Sequence, residues 1–174
     1  MFTPSKTETR EQVIDWLSTQ PTAYHLTFSF PALTNHHETK KLLDLLITHL
    51  NRRIYKGRYE KGLNYIEGIV IREETNSLGT DHYHIMIIDR SNSLPAFNRF
   101  NEIIEHQRHL FHGHSKKNHI KKFTLQEYYN DDDTNGLEIY LTKNFSAKSY
   151  SWLKAVDSIG VLTDNKIIFG RDFF

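Results

Sequence analysis

LNYIEGIVIREETNSLGTDHYHIMII, residues 63–88, decides the fold. Leu63 to Glu74 is rich in Ile and Val and predicts a strand. Asn76-Ser77-Leu78-Gly79-Thr80 is turn chemistry, and His82 to Ile88 predicts a second strand. The stretch is therefore a hairpin with a longish loop. Upstream, Tyr24, Leu26, Phe28 and Phe30 alternate with His25, Thr27 and Ser29, which predicts a strand over Ala23 to Phe30. Between these lies the clearest helix, Glu38 to Tyr55. Its Leu42, Leu43, Leu45, Leu46, Ile47 and Leu50 are spaced for burial, and Gly57 stands just past its end. Downstream, Pro95 opens a helix through Phe97, Phe100, Ile103 and Ile104 to about Leu110, and Ile120 to Tyr129 predicts another strand.

A short helix over Thr7 to Ser18, ended by Pro21, precedes this series. A late helix over Asn135 to about Leu153, with a break near Ser146, and a final edge strand over Lys166 to Phe169 follow it. The order β-α-β-β-α-β makes the chain α+β, with the ferredoxin-like split βαβ pattern. That pattern is a central antiparallel sheet with flanking helices, expected here on one face. Its first and third strands lie side by side in the centre. The fold serves many functions and does not settle the chemistry.

At 174 residues the chain suits one domain spanning residues 1–174, with little room for a second. Helicase or motor activity is expected from another chain. Without cysteine, disulfides and thiolate zinc sites are excluded. Residues 1–10 are polar, and no stretch reaches membrane-spanning length, so a soluble, intracellular protein is expected. The net charge is only +1, so the placement of positive charge matters more than its sum. It gathers in Arg52, Arg53, Lys56 and Arg58 and in Lys116, Lys117, Lys121 and Lys122, away from Asp131-Asp132-Asp133. Each basic run reads as a solvated helix end or loop, or as a nucleic-acid contact.

His82-Tyr83-His84 lies inside an apolar strand. Strand side chains alternate, so His82 and His84 point to one side and can reach one metal ion. The pair also reads as two surface histidines. His112-Gly113-His114 has the same spacing in a polar, Gly-containing segment and reads as solvated. A cation that grips phosphate favours mixed nitrogen and oxygen ligands. Glu73 and Glu74 end the preceding strand, and only one can share the histidine face. Glu73 is the candidate; Glu67 has the same parity but lies further down the strand. Tyr140 and Lys143 are one helical turn apart, so phenol and ammonium can approach one point. An ammonium favours the phenolate of a group whose pKa is ordinarily about 10. Tyr-x-x-Lys is also the spacing of many tyrosines that only pack.

The order of these pieces is Leu26-Thr27-Phe28, then His82-Tyr83-His84 before apolar residues, then Tyr140 and Lys143. It resembles the HUH endonucleases, the single-tyrosine replication initiators of rolling-circle plasmids and phages. It is most similar to the small initiators related to filamentous-phage and prophage replication proteins. The resemblance covers roughly residues 23–150, with Arg72-Glu73 and Ile168-Phe169-Gly170-Arg171 as further cues. It implies that His82, His84 and an acidic residue bind Mg2+ or Mn2+ and that Tyr140 attacks a DNA phosphate. A 5′-phosphotyrosine and a free 3′-OH would result, the 3′-OH priming rolling-circle replication. Implied partners are single-stranded or hairpin DNA at an origin, with host helicase and polymerase, in the cytoplasm of a bacterial host. Tyr150 is a second candidate nucleophile. The DNA contacts expected are Arg52, Arg53, Lys56, Arg58, Lys116 and Lys117. Three rival readings are a relaxase- or transposase-like HUH enzyme, a non-catalytic nucleic-acid-binding domain, and a nuclease that activates water.

Overall fold

Alternation along the first strand, β1 (Thr22–Ser29), sets which way each side of the sheet faces. Leu26 and Phe28 are buried on one side, His25 and Ser29 on the other, as a two-residue period requires. The computed structural model describes residues 6–30, 36–75, 80–112, 122–128, 136–143, 157–164 and 166–170. Around β1 stand α1 (Lys6–Ser18), α2 (His36–Tyr55), α3 (Gly57–Glu60), β2 (Glu67–Thr75), β3 (Thr80–Ile88) and α4 (Phe97–His112). β4 (Lys122–Glu127), α5 (Gly136–Leu141), β5 (Ile159–Leu162) and β6 (Ile167–Phe169) complete the described elements.

The six strands form one sheet in the order β4-β1-β3-β2-β5-β6, and every neighbouring pair is antiparallel. The fold is α+β, a six-stranded antiparallel sheet flanked by helices, and its β4-β1-β3-β2 part has the split βαβ arrangement. β1 and β3 are central, and β6 forms an edge.

Helices cover both faces, where the sequence reading expected one. On the first face, Leu43, Leu46, Ile47 and Leu50 of α2 and Phe100 and Ile104 of α4 pack on Leu26, Phe28, Val70, Tyr83, Ile85 and Ile87. On the second, Leu17 of α1 and Leu141 of α5 meet Ile69, Ile71, Met86 and Ile88 in a smaller core. The reason is visible in β2 and β3. Their middles are apolar at both parities, and such strands must be covered on both sides.

Other boundaries also differ from expectation. The positive φ at the end of α2 falls on Lys56, at 50°, and Gly57 opens α3 instead of closing α2. β2 begins at Glu67, not at Leu63. β5 was not foreseen; its four residues are too short to carry a periodic signal. The late helix is described only as Gly136–Leu141 and the residues just after it, so its expected extension to Leu153 lies outside the described residues. So do the 76–79 turn, Lys116, Lys117, Asp131-Asp132-Asp133 and Tyr150.

Two polar ties fix the sheet against the main helix. The hydroxyls of Thr39 on α2 and Tyr83 on β3 are 2.6 Å apart and buried. Asn51 is fully buried, accepts from the Ile66 backbone N–H at 2.7 Å and donates to the Asp164 carbonyl at 3.2 Å. An unmade bond at such a position costs about 1–3 kcal/mol, so both ties select one seating of α2.

β5 can join the sheet only because residue 68 has no side chain. A Cβ at Gly68 would sit 2.7 Å from the Met86 carbonyl oxygen and 2.9 Å from Leu162 Cδ1. Gly68→Ala is expected to destabilise the protein by about 1–3 kcal/mol through overpacking. In a chain of this size each kcal/mol lowers Tm by roughly 2–4 °C. Thermal unfolding followed by circular dichroism checks it, and an unchanged Tm would contradict the packing described.

Candidate active site

Register between strands brings the site residues to one face. Across β1 and β3, Thr27 pairs with His84 and Ser29 with His82. Across β2 and β3, Glu73 pairs with His82 and Ile71 with His84. Directly opposed residues share a face. His25, Thr27, Ser29, Glu73, His82 and His84 therefore all lie on the face that carries α1 and α5. Glu74 pairs with Asp81 and has the other parity, while Glu67 pairs with Ile88 at the far end, where it accepts from Arg90 at 3.2 Å.

His84 is buried. Its Nδ1 lies 3.2 Å from His25 Nε2 and 3.4 Å from Thr27 Oγ1, and its Nε2 lies 3.3 Å from Glu73 Oε2. His82 Nδ1 lies 2.9 Å from Ser29 Oγ. Both imidazoles are thus held at Nδ1 by side chains of β1, a backing that orients ligand histidines. Sequence reading did not name His25, Thr27 and Ser29 as site residues. Their signal was present, since they are the polar half of the alternation in β1, but it becomes specific only once the register is known.

α5 supplies the other half. Lys143 donates to Glu73 Oε1 at 2.6 Å, and its Nζ sits 3.9 Å from the centroid of the Tyr140 ring. That ring meets the His84 ring edge-on, with centroids 5.6 Å apart. Glu73 therefore receives one donor on each carboxylate oxygen. Tyr140 is 46 % exposed, while Glu73 and His84 are largely enclosed.

The electrostatics follow from these contacts. The hydrogen bond from His84 lowers the Glu73 pKa most; burial opposes it, and Lys143 adds to it, leaving the carboxyl at about 2. For Lys143, burial works to lower the pKa. Hydrogen bonds to Glu73 and Tyr140, with their charges, outweigh it and raise the pKa above the ordinary lysine value. Burial and then the charge of His84 bring His25 down to about 4. Near neutrality the site holds a carboxylate, an ammonium and a neutral His25.

A divalent ion can be tested against this donor set. Among the described residues, no three His, Cys, Asp or Glu side chains are already gathered as a ligand cage. The chemistry nevertheless fits: two imidazoles backed at Nδ1 and a carboxylate, on adjacent strands of one face, with Glu73 directly opposite His82. Mixed nitrogen and oxygen donors suit Mg2+ or Mn2+ with open positions for a substrate.

The structure does not bring the first basic run to this place. Arg52, Arg53, Lys56 and Arg58 are exposed, on α2 and α3. α2 packs against the opposite face of the sheet, and its end approaches the segment after β3, where the hydroxyls of Tyr55 and Ser93 are 3.4 Å apart. The helical spacing shows that the run is solvated, but not which face of the sheet α2 covers. The sheet aromatics Phe28, Tyr83 and Phe123 are likewise away from the site, buried in the main core.

No protein-family model matches the chain, and neither does any curated protein or solved structure.

The seating of α5 rests on a buried acid. Glu138 is 1 % exposed and accepts from the Tyr128 hydroxyl just after β4, while Arg10 of α1 donates to the Thr142 carbonyl at 3.3 Å. Burial, then the hydrogen bond and charge of Glu138, hold the Tyr128 phenol well above its ordinary pKa. A folded-state pKa raised in this way gives stability that is full below the unfolded phenol value of about 10 and is lost as pH rises above it. Tyr128→Phe is expected to cost about 1–3 kcal/mol at pH 8, because Glu138 loses its donor. The gap between variant and wild type should narrow as pH rises past about 10. Urea unfolding at pH 8 and at higher pH checks both parts, and a gap that widened with pH would reverse the assignment.

Proposed function

We propose that this chain cleaves and rejoins single-stranded DNA, with Tyr140 as nucleophile. One observation carries the reading. Glu73, His84, Tyr140 and Lys143 come from three separate segments and were each picked from sequence for a chemical role. They stand in mutual contact, with Tyr140 and Lys143 reaching solvent while Glu73 and His84 are largely enclosed. Tyrosines that merely pack do not require a lysine and a carboxylate arranged behind them.

In this reading the Tyr140 oxygen attacks phosphorus. The new O–P bond forms as the bond to the 3′ oxygen breaks, leaving a 5′-phosphotyrosine and a free 3′-OH. The phenolic proton is released, and the departing oxygen takes one up. Lys143, bonded to Glu73 and lying against Tyr140, favours the phenolate and the charge developing on phosphate. Glu73 holds that ammonium in place. A divalent ion held by His82, His84 and Glu73 would polarise a phosphate oxygen. The covalent link stores the phosphodiester energy, so reversal rejoins an end.

The biology proposed is that of the HUH initiators: nicking at an origin, with the 3′-OH extended by host helicase and polymerase. The cytoplasm of a bacterial cell carrying the plasmid, phage or prophage is the corresponding location. Relaxases and HUH transposases share the same chemistry. Among the described residues no helix is long and apolar enough to cross a membrane.

Tyr140→Phe keeps the ring and removes the hydroxyl, so folding, metal binding and DNA binding are expected to survive while cleavage and the covalent adduct vanish. Lys143→Ala should be milder and leave some adduct. A 3′-labelled single strand run with each variant on a denaturing protein gel decides it, because label stays with the 5′-linked fragment. Label on the Tyr140→Phe protein would move the role to Tyr150, and cleavage without any labelled protein would indicate an activated water.

Binding of the uncleaved strand should weaken with salt. The slope of log K against log salt is expected at about −0.7 for each phosphate neutralised. A salt-independent affinity, measured by fluorescence anisotropy, would exclude a charged contact with the backbone.

A further inference from the structure

We infer that His25 is a positioning residue of this site: as the closer partner of His84 Nδ1, it lets the proton of that ring move between Nε2, where it serves Glu73, and Nδ1, where it frees Nε2 for a cation. The consequence for a metal ion rests on the ligand role proposed above for His84; the proton placement itself rests on geometry alone.

His25 is buried, at 8 % exposure. Its ring lies nearly coplanar with that of His84, 15° between planes and 5.4 Å between centroids, and meets it edge to edge with Nε2 3.2 Å from His84 Nδ1. A neutral imidazole has one donor and one acceptor nitrogen. An ionised carboxylate only accepts, so the 3.3 Å approach of His84 Nε2 to Glu73 Oε2 makes Nε2 the donor. His84 Nδ1 must then accept, and His25 Nε2 must donate to it. Polarity therefore runs from His25 through His84 to Glu73.

For Nε2 of His84 to ligate a cation, that polarity must reverse. His84 then carries its proton on Nδ1 and donates to His25 Nε2, and His25 keeps its own proton on Nδ1. Each neutral ring can take either role. Thr27 Oγ1 can also pair with His84 Nδ1, but at 3.4 Å it is the weaker partner. An apolar residue at 25 would leave that hydroxyl alone to support the metal-ready tautomer, whereas glutamine could still donate or accept.

Imidazole 15N spectra of the full-length protein test this, with Mg2+ as the diamagnetic probe and no DNA. Wild type should show His84 protonated at Nε2 without the ion and at Nδ1 with it, with His25 switching in step. His25→Leu should lose the coupled switch and weaken Mn2+ binding by calorimetry about tenfold; His25→Gln should restore affinity to within about threefold of wild type, taking that tenfold loss as the reference. Thermal unfolding of both variants confirms that they fold. If His25→Leu does not fold, the wild-type spectra still decide. Nδ1 protonation of His84 in the ion-free protein overturns the inference, as does a His25→Leu protein with wild-type spectra and affinity. If wild type binds no ion, the ligand role of His84 falls, while protonation of His25 at Nε2 in the ion-free protein still supports the pairing and protonation at Nδ1 overturns it.

Discussion

The pairing of β1 with β3, Thr27 against His84 and Ser29 against His82, is the constraint on which the rest depends. A slip of one residue would exchange the faces of every side chain in a strand. It would drive two imidazoles into the main core and lift Tyr83 and Ile85 out of it. The register is held because β1 alternates so strictly. Phe28 and Leu26 have no place but the core, so His25, Thr27 and Ser29 have no place but the opposite face. The same burial that stabilises the sheet therefore aims the site, and supplies each histidine with a side-chain partner at Nδ1.

Glu73 is where the two halves of the site meet. Its carboxylate is largely enclosed, which alone would push it toward its neutral form. Donors on both oxygens reverse that, and the buried charge is stabilised by geometry rather than by water. Lys143 gains in turn, since it lies against a carboxylate and an aromatic face at once. This arrangement favours a charged, ordered cluster beside an accessible phenol. A sheet that merely presented polar residues to solvent would have no need of it.

Much of the fold was legible in the sequence because the relevant signals are periodic. The alternation of Tyr24 to Phe30, the leucines of residues 42–50 and the hairpin of residues 63–88 led to the split βαβ pattern and to a central β1 and β3. Parity allowed only one of Glu73 and Glu74 on the histidine face, and the register of β2 with β3 puts Glu73 there. What was not legible is what depends on distant packing. That α1 and α5 cover the second face is implied by Ile69, Ile71, Met86 and Ile88, yet no local pattern names the helix that covers them. β5 carries four residues, Gly160 among them, and pairs with β2 only because Gly68 leaves room. Arg52 and Arg53 looked suited to DNA by charge, while their side of the sheet was set by the leucines of the same helix. His25 was visible as a polar residue on a strand but acquires meaning only opposite its neighbours.

Tyr83, between the two histidines, ties the strand through Thr39 to α2 and the main core. His82 and His84 therefore sit in the most cooperative part of the molecule, where exposing the backbone to exchange requires nearly global unfolding. Tyr140 and Lys143 belong to a short helix held by Leu141, by Glu138 with Tyr128, and by Arg10. Among the described residues its apolar anchors are Leu137 and Leu141, fewer than those of the strand, and sparse apolar contact favours local opening: an anvil more firmly set than its hammer. In the proposed reaction, a strand attached to Tyr140 would then be carried away from the histidines and returned without loosening them.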